Sequence, residues 1–354
     1  MVRGSGRRPD GGRRGEAALT PAEPRRPVRS GPRPGPRRRA ADDRAPQRIA
    51  SLLPSATEIV AALGLADRLV GVSHECDYPA DVSRLPVLTR DAGGHPGDAS
   101  REIHRRVGDA LHSGSSLYEL DEAALVEAKP DLILTQELCR VCAVGYREVN
   151  EVARRIDAGI TVVSLEPTTI EGIFNAIVTV GAFTGAEDAA LDLVASLRER
   201  LADVEETVAD RRAIGLTAPR VVALEWLDPP FRAGHWVPEQ VRRAGGWELL
   251  GEAGAPSAET TWGAVLEVDP DTLVLMPCGL HVGQAVAEWA RVDRPAGWRA
   301  MDAVRRGRVF AVDGSAYFSR PGPRVIDGIE LLAEIFDPDA FVDVAPPGSW
   351  TPVQ

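Results

Sequence analysis

Aromatic and sulfur-bearing residues are scarce in this chain. Of 354 residues, seven are Trp, seven Phe, four Tyr, four Cys and three Met. With 44% hydrophobic but only 5% aromatic residues, the core must be mostly Val, Leu, Ile and Ala, the usual filling of α/β proteins with parallel sheets. No run of about 18 apolar residues occurs, which excludes a helical membrane span. Catalytic signatures are missing as well. There is no Gly-x-Ser-x-Gly, no Walker A, no His-Glu-x-x-His, and no Gly-x-Gly-x-x-Gly after the first expected strand. Ser55 at a helix start, with His74 as a candidate base, lacks an orienting third group, so no enzyme is expected.

What is there divides the chain. Residues 1–46 carry 13 Arg against 5 Asp and Glu, a balance of +8, which leaves −19 for the body of a chain whose formal charge is −11. So acidic a body excludes nucleic acid as its partner. The Arg/Pro/Gly-rich tail cannot bury enough surface to offset its ordering entropy and is expected to be disordered. It has no apolar signal core, its arginine pairs precede no apolar segment, and no cysteine offers a lipid anchor. As written, the chain is expected in the cytoplasm; a different start would place it in the periplasm or otherwise outside.

From Gln47 onward, strands alternate with helices, which argues for βαβ units and parallel sheets. Strands are expected at 48–53, 69–73, 86–88, 132–135 and 161–164, and helices at 59–63, 119–129 and 146–156. Ser55 and Glu58 are spaced as a capping box. Residues 169–212 read as two helices, 170–184 and 187–211, the second a strut of about 37 Å between two lobes. A second α/β segment has strands at 220–224, 272–276 and 304–312 and helices at 238–244, 262–268 and 324–336. Lys129-Pro130-Asp131 in the first half is echoed by Asp269-Pro270-Asp271 in the second, each between a helix and a buried strand. The expected organisation is a tail (1–46), an amino-terminal lobe (47–168), a helical connection (169–215), a carboxy-terminal lobe (216–340) and a loose tail (341–354).

Polar clusters fall at one end of these strands, where open α/β sheets bind ligands. Cys76 lies in His74-Glu75-Cys76-Asp77-Tyr78, Cys139 and Cys142 in a Cys-x-x-Cys loop, and Cys278 in Pro277-Cys278-Gly279. These thiols, with His74 or His235, are candidate ligands for zinc, iron or an iron–sulfur cluster; alternatively they are buried and inert, or Cys139 and Cys142 form a disulfide. Trp226, Phe231 and Trp236 fall within eleven positions and suit either packing between elements or an aromatic wall against a flat ligand. Glu75, Asp77, Glu225 and Asp228 suit a cation, amide groups or loop capping.

The same segments resemble a known family. Ser51-Leu-Leu-Pro-Ser-Ala-Thr-Glu58, Val70-Gly-Val-Ser-His-Glu-Cys-Asp-Tyr-Pro79, Lys129-Pro-Asp-Leu-Ile-Leu-Thr-Gln136, Leu224-Glu-Trp-Leu-Asp-Pro-Pro-Phe231 and Gly234-His-Trp-Val-Pro-Glu239 are similar to the cobalamin/iron-siderophore class of ABC-transporter substrate-binding proteins, particularly its cobalamin-binding branch. The resemblance implies two Rossmann-like lobes joined by one long helix, a corrinoid such as cobalamin held between them, and delivery to a permease with an ATPase. The ligand-binding residues it suggests are Ser55, His74, Glu75, Tyr78, Glu225, Trp226, Phe231, His235 and Trp236. A monomer is expected. The four cysteines and the missing export signal depart from ordinary vitamin B12 carriers. The rival expectation is a cytoplasmic binder of a metal or metal chelate (iron, zinc, haem or a siderophore) through its cysteines.

Overall fold

The computed structural model describes residues 45–91, 99–113, 118–136 and 145–354. Residues 1–44 of the Arg-rich tail, and Cys139 and Cys142, lie outside the described residues. The first lobe contains strands β1 (Ile49–Ser51), β2 (Leu69–Val72), β3 (Thr89–Asp91), β4 (Tyr118–Leu120), β5 (Leu132–Thr135) and β6 (Thr161–Ser164). Its helices are α1 (Pro54–Ala62), α2 (Ser100–Ser113), α3 (Glu122–Ala128) and α4 (Tyr146–Ile156). Helices α5 (Ile170–Thr184) and α6 (Glu187–Ala213) lead into the second lobe. There the strands are β7 (Arg220–Leu227), β8 (Pro230–Arg232), β9 (Trp247–Glu248), β10 (Ala258–Glu259), β11 (Thr272–Leu275), β12 (Val309–Val312) and β13 (Trp350–Pro352). The helices are α7 (Val237–Arg243), α8 (Trp262–Val268), α9 (Val282–Arg291), α10 (Asp302–Arg305), α11 (Gly314–Tyr317) and α12 (Val325–Phe336).

The first sheet is fully parallel in the order β2-β1-β5-β6, with β3 and β4 forming a separate antiparallel ribbon. The second runs β10-β8-β7-β11-β12-β13, with β9 also on β7; β7, β9, β11 and β12 are parallel. All four residues of β5 and of β11 are buried, as strands covered on both faces require.

The echo between the halves is a repeated structural joint. Helices α3 and α8 both end in a left-handed residue, Lys129 (φ 45°) and Asp269 (φ 42°), and proline then prevents continuation. Asp131 accepts the Gln47 and Arg48 amides at 2.8 and 3.0 Å, and Asp271 accepts the Arg220 amide at 2.9 Å. The guanidinium of Arg48 donates to the carbonyls of Ala128 and Lys129, and that of Arg220 to those of Val268 and Asp269. Each lobe thus ties the start of its first strand to the last carbonyls of a helix, which otherwise lack partners.

One apolar core serves both lobes. It runs from Ile49, Leu132 and Leu134, through Ile173 and Val180 of α5 and Val194 and Leu201 of α6, to Val221, Ala223, Val274 and Ile329. The outer faces of the two sheets pack into separate clusters, around Ile133 and around Val222 and Leu273. Helix α6 has 27 residues, about 40 Å, and Arg200 ties it to Asp327 and Glu330 of α12.

Several readings change. Glu119 belongs to β4, because Asp121 caps α3 through the Ala124 amide. Helices α2 and α9 were not expected. Residues 86–88 hold only an isolated bridge, Val72 to Val87. Within 341–354, expected to be loose, Trp350–Pro352 form β13, antiparallel to β12. The Ser55–Glu58 capping box does not form. Leu53 is the cap residue without a side-chain bond, Pro54 opens α1, and Glu58 is engaged elsewhere.

Candidate functional site

Parallel strands deliver their following loops to one rim of each sheet, and the two rims meet. Past β1, α1 brings Glu58; past β2 comes the His74–Tyr78 loop; past β12 come Asp313, α11 and the segment reaching Arg324. Arg320 is 6% exposed. It donates to both Asp77 oxygens, to Ser315 Oγ at 3.1 Å and to the Glu75 carbonyl at 3.1 Å. Arg324 holds Glu58 by two bonds, Nε to Oε2 at 2.9 Å and Nη2 to Oε1 at 2.5 Å. Its guanidinium lies 4.2 Å from the Tyr78 ring centre, a cation–π contact. His281 sits between Asp313 (2.9 Å) and Asp77 (3.5 Å).

Burial pushes the Glu58 carboxyl up, with Arg324 and Arg320 working against it. Burial acts likewise on Asp77, but there the hydrogen bonds and charge of Arg320, with His281 and Arg324, prevail and hold the carboxyl below its usual range. Charges withdrawn from water in this way are tolerable only as a fully paired set, so this joint fixes one lobe against the other. Arg320 and Arg324, its central members, went unseen in the sequence.

The β7–β8 hairpin forms a second meeting place. Trp226 lies opposite Phe231 in register, both partly exposed. Glu225 accepts from the Gly234 amide at 3.0 Å and from the Ser257 hydroxyl, which secures the hairpin's return to the 255–257 segment. Burial pushes the Glu225 carboxyl up to about 7, against the bonds from Ser257 and Gly234. Folded Glu225 therefore keeps a proton that the unfolded chain loses near its ordinary value of 4.5. Its contribution is favourable below that pH and fades as pH rises to about 7, by roughly 3 kcal/mol. Glu225→Gln is expected to flatten this part of the profile. Denaturant midpoints at about pH 5 and about pH 8 measure it, and an unchanged slope rejects the assignment.

The other expected ligand residues separate. The returning strand places Ala233 N on Ala223 O, four residues or about 13 Å back from Leu227, and His235 lies beyond it, away from the hairpin tip. His235 is half-buried in a left-handed turn (φ 48°), and burial lowers its pKa. Trp236 is 5% exposed and packs within the shared core. Ser55 is buried at 3%. His74 turns inward, Nδ1 2.8 Å from Thr89 Oγ1 and its ring edge-on to Tyr118; Glu75 accepts from Tyr118 OH at 3.4 Å. Tyr78 stays on the rim, 49% exposed.

The Cys76 Sγ is buried 3.1 Å from Thr57 Oγ1, and burial pushes the thiol up to about 11. Cys278 is exposed at the end of β11. Among the described residues no group of three or more His, Cys, Asp or Glu is placed to hold a metal ion. Shallow hollows border α6, one lined by residues including Val208 and Phe341 and the other by residues including Ile170, Phe174 and Arg243.

The family model described as periplasmic binding protein matches residues 49–316, about three quarters of the chain. The chain belongs to this family. Periplasmic binding proteins are solute binders, and the two-lobed fold with a long spanning helix agrees with that assignment. The ABC transporter substrate-binding lipoprotein YvrC of Bacillus subtilis is 28% identical over 301 residues, covering 84% of this chain and 82% of that protein. The cobalamin-binding protein of Halobacterium salinarum is 26% identical over 300 residues, covering 83% and 70%. The solved structure of a periplasmic heme binding protein from Pseudomonas aeruginosa shares the fold, with a TM-score of 0.62 at 21% identity over 87% of this chain and 95% of that one. The resemblance to substrate-binding proteins of ABC transporters is borne out. Among the described residues no helix is long and apolar enough to cross a membrane. The cytoplasmic placement finds no support in relatives named as lipoprotein and periplasmic.

Proposed function

We propose that this protein captures a corrinoid such as cobalamin between its lobes, outside the cytoplasm, and presents it unchanged to an ABC permease and its ATPase. The observation that carries the reading is the β7–β8 hairpin at the rim, with Trp226 directly opposite Phe231 in an aromatic-poor chain. Paired aromatic faces suit the flat, apolar face of a macrocycle, and Tyr78 offers a further exposed ring on the first lobe. Kinship with the cobalamin-binding protein of Halobacterium salinarum supports the ligand class. The fixed ionic joint and the shared core suit a carrier that works without wide lobe motion. The protein acts as a monomer, needing no partner copy to complete the rim.

Calorimetric titration with cyanocobalamin tests this, with hemin as the comparison. A dissociation constant in the micromolar range or tighter is expected, and no heat at about 100 μM protein and ligand rejects the corrinoid. Trp226→Ala is expected to weaken binding about 10- to 100-fold, or 1–3 kcal/mol. Unchanged affinity in that variant takes the hairpin out of the site.

A further inference from the structure

We infer that α2 is a releasable strap that occupies the aromatic wall of the β7–β8 hairpin and must come off before a ligand lies there. The inference rests on the reading of that hairpin as the ligand wall. Helix α2 belongs in sequence to the first lobe, yet its opening turns dock on the second. The Ser100 amide donates to Glu288 Oε1 at 2.8 Å, and the Ser100 carbonyl accepts from the Trp226 indole N–H at 3.2 Å. Arg101 forks onto both oxygens of Asp228 at 3.0 and 3.1 Å. The His104 ring meets the Phe231 ring edge-on, centres 5.6 Å apart. The tip of the hairpin and both of its aromatic side chains are thus engaged by one segment, at sequence separations of more than 120 residues.

The strap's ion pair differs from the Glu58–Arg324 pair of the joint. The Glu58 and Arg324 side chains are 2% and 15% exposed, so breaking that pair strands charge away from water. In the strap's ion pair the Arg101 side chain is 75% exposed and that of Asp228 30% exposed, and water replaces such a pair at little cost. Within the strap the Ser100–Glu288 bond is buried and anchors the start of α2, while the exposed Arg101–Asp228 pair is the hold that yields first. A flat ligand would bring its own apolar face to Trp226 and Phe231 and so compete directly with Ser100 and His104.

The test uses the full chain, the Arg101→Asp variant, and the charge-swapped Arg101→Asp/Asp228→Arg double variant. Stopped-flow absorbance with cyanocobalamin, and separately with hemin, reads the association rate. With the strap weakened, association is expected to quicken about 3- to 10-fold in Arg101→Asp and to return toward the parent rate in the swap. An unchanged or slower rate in Arg101→Asp overturns the strap. If the parent protein binds neither probe, the hairpin reading itself fails, and hydrogen exchange of the ligand-free proteins decides the strap alone. Amides of residues 102–107 must exchange faster in Arg101→Asp and recover in the swap; equal exchange in all three proteins overturns it.

Discussion

Glu58→Ala is expected to cost the fold about 3–5 kcal/mol, because it leaves the Arg324 and Arg320 guanidiniums facing an empty, water-poor site. Glu58 is 3% exposed and accepts both bonds of the Arg324 fork. The penalty arises from the stranded cations more than from lost attraction. Consequently the double change Glu58→Leu, Arg324→Met, which leaves Arg320 on Asp77, should recover much of the loss, since apolar replacement of a buried charged pair is often close to neutral. Urea unfolding of the three proteins measures this. A loss under about 1 kcal/mol for Glu58→Ala alone would mean that water reaches the joint and that it resembles a surface ion pair.

Trp236→Ala is expected to destabilise by a similar amount, about 3–5 kcal/mol. The residue sits in the shared core beside the hairpin's return, and truncation there opens a cavity that close-packed neighbours fill only in part. Trp226→Ala, at the partly exposed rim, should cost far less stability and more affinity. Thermal unfolding and ligand titration on the same pair of variants separate the two tryptophans. Equal stability losses would place both in the core, and a large affinity loss in a well-folded Trp236→Ala would return that residue to the ligand wall.

The contrast between these tryptophans shows where local reading of the chain succeeds and stops. Strands such as Leu132–Thr135 and helices such as Tyr146–Ile156 were readable to the residue, because a continuous apolar run or a helical stripe is local information. The Pro-Asp echo was readable because both copies spell the same joint. The burial of Trp236 was not, since it depends on where the chain lies after turning back at Asp228-Pro229. Nor was the pairing of Glu58 with Arg324, 266 positions away. Ser319-Arg-Pro-Gly-Pro-Arg324 carries no periodic pattern, and Arg324 reads only as the first residue of the closing helix. The three-residue spacing of Ser55 and Glu58 spells a capping box, a local pattern that carries no trace of the distant arginine. Helix α2 is harder to read: Ile103, Val107, Ala110 and Leu111 recur at helical spacing, but five charged residues among its fourteen and Gly108 mask the stripe.

The single core that threads both sheets by way of α6 bears on energetics beyond binding. A jaw with its own hinge stores cargo in a closed state and sheds it when thermal motion opens it. Here Ile49 and Ile329 belong to one continuous cluster of buried residues, so unfolding should be one cooperative event. Spontaneous gaping would likewise sacrifice packing on both sides at once. Under the proposed role, unloading is then work done on the carrier by its transporter, and the toll in nucleotide hydrolysis is set by how firmly this one-piece body resists being pried apart.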